Sequence, residues 1–138
     1  MMSATLVMSV VLAYGVTGDG TAVPVLMELH PVESKLIART NFERMRHGLH
    51  PLSIDHSLVQ SARTHASWMA RRQVLQHTTA AVAENIAHGQ NSTSQVVKDW
   101  LNSPGHRANM LSTNYNRIGV AAYRGSNGRI YWCQQFLR

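Results

Sequence analysis

Three polar side chains in three separate segments could together carry chemistry: His77, Glu84 and His106. Glu84 is the only acidic residue between Asp55 and Asp99, and it lies in an otherwise apolar run. A carboxylate that is buried without a partner is energetically costly. We therefore expect Glu84 to have a specific partner, either backbone N–H groups or an imidazole. Two imidazoles and one carboxylate could also form an open site for a divalent metal ion.

The metal hypothesis depends on the fold, because the spacing of these residues matches no self-contained motif. The chain has no HExxH pattern and no pair of cysteines. His106 lies in the predicted first turn of a helix, where the dipole favours the neutral imidazole that binds metal or accepts a proton. Gly105 beside it leaves room for a ligand. No nucleophile elbow of the GxSxG type is present, and helix capping explains Ser103.

The other histidines are weaker candidates for a site. His65 falls at the edge of an apolar helical stripe, which favours a packing role. The rest are predicted in loops or at the surface: His30, His47, His50, His56 and His88.

Apolar spacing and capping residues predict the helices that position these side chains. The first covers Pro31 to Arg46 and is stopped by Gly48. A second starts after Ser53 or Asp55 as cap and ends near Gln73. A third follows Asn91-Ser92-Thr93, and a fourth begins with Ser103 as N-cap and Pro104 at its first position.

The C-terminal part of the chain predicts a β-hairpin. Its strands are Arg117 to Tyr123 and Arg129 to Phe136, and Gly125-Ser126-Asn127-Gly128 forms the turn. The second strand has apolar residues on both faces, which indicates a strand covered on both sides. Helices first and a hairpin last favour an α+β layered domain.

Composition favours one folded domain, from about residue 28 to 138. The chain has 138 residues, of which 44% are hydrophobic and 14% charged, and this excludes a disordered chain. Its formal charge of +6 favours anionic partners such as envelope polymers or lipid head groups. The basic residues are scattered, with only Arg71 and Arg72 adjacent, so we expect no nucleic-acid partner.

The N-terminal segment predicts export. Its apolar run from Ala4 to Val16 is too short to cross a bilayer comfortably. Residues 1–22 therefore resemble a signal peptide, although no Lys or Arg precedes the run, and the alternative is an extended start to the fold. We expect a secreted monomer without a stable membrane span. Cys133 is the only cysteine, so no internal disulfide is possible, and we expect a buried apolar thiol.

Several segments, taken in order, resemble the CAP superfamily. This superfamily, also called SCP/TAPS, includes the cysteine-rich secretory, antigen 5 and pathogenesis-related 1 proteins, and the likeness points to its bacterial single-domain type. The similarity runs from about Leu36 to Phe136. The matching segments are Asn41-Phe42-Glu43-Arg44, Gly48-Leu49-His50-Pro51-Leu52, Ala62 to Ala70, the His77 segment, Glu84-Asn85-Ile86-Ala87, Ser103-Pro104-Gly105-His106-Arg107, Ile118-Gly119-Val120, and Tyr131-Trp132 with Gln134 and Phe136.

The resemblance implies a three-layer α-β-α sandwich with an antiparallel central sheet and an open cleft. Family members place two histidines and two acids in the cleft, and some bind a divalent cation such as zinc. By motif, His77 and His106 match the histidines and Glu84 matches one acid. The second acid is missing, because the chain has Leu101, Asn102 and Ser103 where many eukaryotic members place it. Ala83 also replaces the usual glycine before the Glu-Asn pair.

Two functions of different class follow from the resemblance. The first is an extracellular binding module whose cleft holds a lipid, glycan or peptide. The second is a hydrolase acting on peptides or cell-envelope material, in which His77 and His106 hold a cation and Glu84 acts as base on bound water. The missing acid and the lack of a nucleophile favour the binding module.

Overall fold

The computed structural model describes residues 13–16, 18–25 and 27–138. The elements, in chain order, are β1 (Ala13–Val16), β2 (Ala22–Val25), α1 (Pro31–Arg46), β3 (Ser53–Ile54), α2 (His56–Arg72), β4 (Ala83–His88), α3 (Thr93–Leu101), α4 (Pro104–Met110), β5 (Arg117–Arg124) and β6 (Ile130–Leu137). No helix in this described part of the chain is long and apolar enough to cross a membrane.

The N-terminal strands form a separate two-stranded sheet. Ala13–Val16 pairs antiparallel with Ala22–Val25. Residues 1–12 and 17 of the predicted signal peptide lie outside the described residues, so export through residues 1–22 stays a prediction.

The helices begin and end where local sequence predicts. Asp55 caps α2 by accepting a hydrogen bond from the Leu58 N–H, and Gly48 follows α1 with a φ of 72°. Of the two candidate caps for α2, Ser53 instead lies in the short strand β3. Ser103 precedes α4 as predicted, but its side chain makes no capping hydrogen bond. Pro104 at the first position pre-sets the backbone of that short helix.

Four strands form the central sheet in the order β3-β5-β6-β4. The predicted hairpin pairs β5 with β6 antiparallel, and β6 pairs with β4 antiparallel. The two-residue β3 joins β5 in parallel, so the sheet is antiparallel except at this edge. The strand β4 was not predicted, because Glu84 and Asn85 interrupt the apolar pattern expected of a buried strand.

Helices cover both faces of this sheet. One core lies between α2 and the sheet, and its larger members include Met69, Tyr131 and the fully buried Cys133. A second core lies between the sheet and the group of α1, α3 and α4, and it contains Trp100, Trp132 and Phe136. The chain is therefore a three-layer α-β-α sandwich, as predicted, and its hairpin strands are covered on both sides.

Candidate functional site

Glu84 lies on β4 at the centre of a cluster of hydrogen-bond donors. Its Oε1 accepts from His77 Nδ1 at 2.8 Å and from the Thr78 N–H at 2.9 Å. Its Oε2 accepts from Gln135 Nε2 at 2.9 Å and from Cys133 Sγ at 3.4 Å. The residue is only 7% exposed. Both alternatives for its partner therefore hold, since the carboxylate accepts from an imidazole and from a backbone N–H.

These donors keep the carboxylate ionised. Burial alone would raise the pKa of Glu84, but hydrogen bonds from Gln135, Thr78 and His77 and the nearby His65 outweigh it and lower the pKa below its usual value. An ionised carboxylate only accepts hydrogen bonds, so His77 must carry its proton on Nδ1. In the neutral imidazole, Nε2 is then left with a free lone pair. The His77 side chain is 60% exposed, so this nitrogen is available to a ligand.

His65 also belongs to this cluster. Its Nε2 lies 2.7 Å from the Gln76 carbonyl oxygen and 3.9 Å from Glu84 Oε2. Its ring stacks on Trp68 with centroids 5.7 Å apart. Helix periodicity predicted a packing role for His65, and the stacking on Trp68 agrees with it. Periodicity along α2 could not predict that His65 also lies beside Glu84.

His106 is held next to the cluster through its backbone. Its carbonyl oxygen accepts from Asn85 Nδ2 at 3.0 Å, and Asn109 Nδ2 donates to Asn85 Oδ1 at 2.9 Å. Burial and the nearby His77 lower the pKa of the His106 imidazole, which favours its neutral form. In the described part of the chain, no hydrogen bond joins this imidazole to Glu84.

A buried polar network connects β4 with β6, α1 and α4. Gln134 Nε2 donates to Thr40 Oγ1 at 2.7 Å, and Asn85 Nδ2 donates to Gln134 Oε1 at 3.1 Å. Asn109 also donates to the Glu84 carbonyl oxygen at 3.2 Å. The network joins α1, β6, β4 and α4, and it therefore ties the helix carrying His106 to the strand carrying Glu84. No local sequence pattern predicts this network, because each hydrogen bond joins residues that are distant in the chain.

A cleft of about 430 Å³ opens beside His77, between α2 and the segment that follows it. Its lining consists of Gln60, Ser61, Thr64, His65, Trp68, Gln76, His77, Thr78 and Thr79. Of the three predicted site residues, only His77 lines this cleft. Glu84 lies behind His77, and His106 lies outside the lining.

The predicted cation ligands do not form a complete metal centre. No set of three or more His, Cys, Asp or Glu side chains among the described residues could hold a metal ion. A cation between His77 and His106 would have two protein ligands, one fewer than catalytic zinc sites use. The donor set therefore does not fit a catalytic zinc site, and zinc binding stays a prediction.

A family comparison decides which fold family these features represent. The profile of the CAP family, described as the cysteine-rich secretory protein family, matches residues 37–136. This chain belongs to the CAP family. The match runs from within α1 to within β6, and it includes the Glu84 cluster and the cleft.

A bacterial protein is similar to most of this chain. The chain is 35% identical over 122 residues to the uncharacterized protein YkwD of Bacillus subtilis, covering 76% of this chain and 46% of that protein. The matched part of this chain thus spans less than half the length of that protein.

Solved structures support the same fold. An extracellular SCP-domain protein of Bacillus anthracis superposes with a TM-score of 0.70 at 23% identity, over 86% of this chain and 47% of that one. An outer surface protein of Borrelia burgdorferi gives a TM-score of 0.68 at 22% identity, over 76% of this chain and 91% of that one.

Proposed function

We propose that this CAP domain is an extracellular binding module whose cleft takes a glycan. Lipid, glycan and peptide are the three ligand classes that the resemblance leaves open. The observation that carries the choice is the lining of the cleft: Trp68 stacked on His65, surrounded by hydroxyl and amide side chains. The surface of the cleft is mostly apolar, and its uncharged hydroxyl and amide groups can fix the orientation of a sugar by hydrogen bonds.

The polar residues of the cleft suit the hydroxyl groups of a sugar. Gln60, Ser61, Thr64, Thr78 and Thr79 all line it and can both donate and accept hydrogen bonds. No Asp, Glu, Lys or Arg lines the cleft within the described residues. A peptide ligand would lack fixed charges to orient its termini, while the C–H face of a sugar ring can pack on an aromatic side chain.

His77 supplies the directional contact in this proposal. Glu84 fixes its Nδ1 proton, so Nε2 accepts a hydrogen bond from a ligand hydroxyl. In this role Glu84 positions His77 and does not touch the ligand. The second function, hydrolysis, draws support from the same pair, since an exposed imidazole held by a carboxylate can act as a general base. Glu84 itself is a poor base because its oxygens already accept four donors.

Binding can be measured by calorimetry with a chito-oligosaccharide, palmitate and a short neutral peptide as probes. We expect the oligosaccharide to bind, and Trp68→Ala and His77→Ala each to weaken binding about tenfold, equivalent to 1.4 kcal/mol. Tyr123→Ala is the matched control, because Tyr123 is an exposed aromatic residue outside the cleft. Binding of palmitate or peptide in place of the oligosaccharide would refute the glycan assignment.

Turnover distinguishes the two functions. Incubation with peptide and envelope substrates should give no product if the domain only binds. Product formation that stops in both Glu84→Gln and the chelator-treated protein would favour the metal-assisted hydrolase. Export is tested separately: residues 1–22 fused to a secretion reporter should carry it out of the cell, and a reporter retained in the cytosol would contradict the extracellular location.

A further inference from the structure

A second concave surface, which we call the basic groove, lies between α1, α3 and α4. It has a volume of about 470 Å³ and shares no lining residue with the cleft. Its charged side chains are Arg39, Arg46, Lys98 and Arg107, with Glu43 as the only carboxylate among its described lining residues. Four cations against one carboxylate is a large local excess in a chain whose formal net charge is +6.

Two of these cations are held in place by neighbours. Arg107 Nη2 lies 3.2 Å from His47 Nε2, while His47 Nδ1 lies 2.7 Å from the Glu43 carbonyl oxygen. Arg46 pairs with the Glu43 carboxylate at 3.2 Å and lies over the Phe42 ring, 5.8 Å from its centroid. The walls of the basic groove therefore present oriented positive charge.

The other two cations have no protein partner. The Arg39 and Lys98 side chains are exposed and make no hydrogen bond or ion pair in the described part of the chain. Phe42, between Arg39 and Arg46 on the same face of α1, is 57% exposed. Exposed charge beside an exposed ring is typical of a surface that binds a ligand with anionic groups and an apolar part.

The spacing of the cations indicates a ligand with repeated charges. Arg39 and Arg46 are seven residues apart in α1, which places them about 10 Å apart along the helix axis. This separation lets two phosphates along one ligand each contact one of the two guanidinium groups. Lys98 on α3 and Arg107 on α4 add two more contacts at the groove.

We propose that the basic groove binds a flexible anionic polymer that carries repeated phosphodiester groups, as envelope polymers do. A polymer chain can enter a concave groove and place successive phosphates on successive cations. A bilayer surface cannot follow the concave walls, so a membrane fits these cations less well. The groove is independent of the cleft and would remain if the glycan proposal failed.

The experiment measures binding of poly(glycerol phosphate) by fluorescence anisotropy across a range of salt concentrations. The test variant is Arg39→Ala with Lys98→Ala, which removes two exposed, unpaired cations and should leave the fold intact. Arg71→Ala with Arg72→Ala is the matched control, because it removes the same charge at the end of α2. Thermal melting confirms that both variants are folded.

We expect the substitutions in the groove to raise the Kd at least about tenfold. The slope of the logarithm of the binding constant against the logarithm of the salt concentration should become shallower by about 1.4, because two phosphate contacts are lost at about 0.7 each. The control should change the Kd less than about twofold. Equal losses in the two variants would mean that only net charge matters, and would overturn the proposal. Absence of polymer binding by the unmodified protein, or stronger binding to phosphatidylglycerol vesicles than to the polymer, would also overturn it.

Discussion

Replacing Glu84 by glutamine tests whether the site depends on an ionised carboxylate. The two Glu84 oxygens accept from His77, Thr78, Gln135 and Cys133. A glutamine side chain has only one oxygen. Its NH₂ group would replace the second carboxylate oxygen and would face two groups that are themselves donors. If the Gln135 amide rotates, its oxygen can accept from this new NH₂ group. The Gln135 NH₂ group then takes the buried position of the Gln135 oxygen, which has no hydrogen-bond partner. Either arrangement leaves at least one buried donor unpaired.

An unpaired buried donor costs about 1–3 kcal/mol. We therefore expect Glu84→Gln to lower the free energy of unfolding at neutral pH by about this amount. The free energy of unfolding of small domains is about 5–15 kcal/mol, so the variant should still fold. Urea denaturation measures the loss as a lower midpoint with an unchanged m-value. Glu28→Gln is the control, since it makes the same chemical change at an exposed residue and should alter stability by less than about 0.5 kcal/mol.

The difference between the two proteins should depend on pH. Folding lowers the pKa of Glu84, so its carboxylate stabilises the fold fully above the ordinary glutamate pKa of about 4.3. That stabilisation is lost as the pH falls through the lower pKa of the folded state. The gap between wild type and Glu84→Gln should therefore be largest near neutral pH and shrink in acid. A gap below about 0.5 kcal/mol, or one unchanged in acid, would refute the ionised cluster.

Three further predictions concern packing, metal and protonation. Gly119→Ala should destabilise the fold by about 1–3 kcal/mol in urea denaturation, because a Cβ atom there would lie 2.2 Å from the Leu58 backbone carbon; an unchanged midpoint would contradict this close approach of α2 to β5. Calorimetric zinc titration of residues 23–138 tests the two-histidine site: zinc binding that both His77→Ala and His106→Ala abolish would support it, and no binding, or binding that survives either change, would exclude it. Folding lowers the pKa of His106, so the neutral imidazole should stabilise the fold fully above about pH 6.5. This stabilisation should be lost as the pH falls through the lower pKa of the folded state. NMR titration of the His106 imidazole checks the direction of the pKa shift.

Local sequence was sufficient to predict the helices and the hairpin. Pro31, Asp55 and Ser92 mark helix starts in the structure as in the sequence. Capping, proline and glycine act over a few residues, so the chain itself contains the signals. The resemblance added the three layers and selected His77, Glu84 and His106 from among the polar residues. Of these, the structure joins His77 to Glu84 directly.

The partners of the site depended on tertiary structure. Gln135 and Cys133, which donate to Glu84, lie 51 and 49 residues further along the chain. They meet Glu84 because β4 pairs with β6 in one particular register, and a shift of one residue would turn those side chains to the opposite face. The position of His65 beside Glu84 likewise depends on how α2 packs over the sheet. The sequence by itself determined the local elements and the candidate residues, whereas only long-range strand pairing and helix packing decided which donors surround the carboxylate.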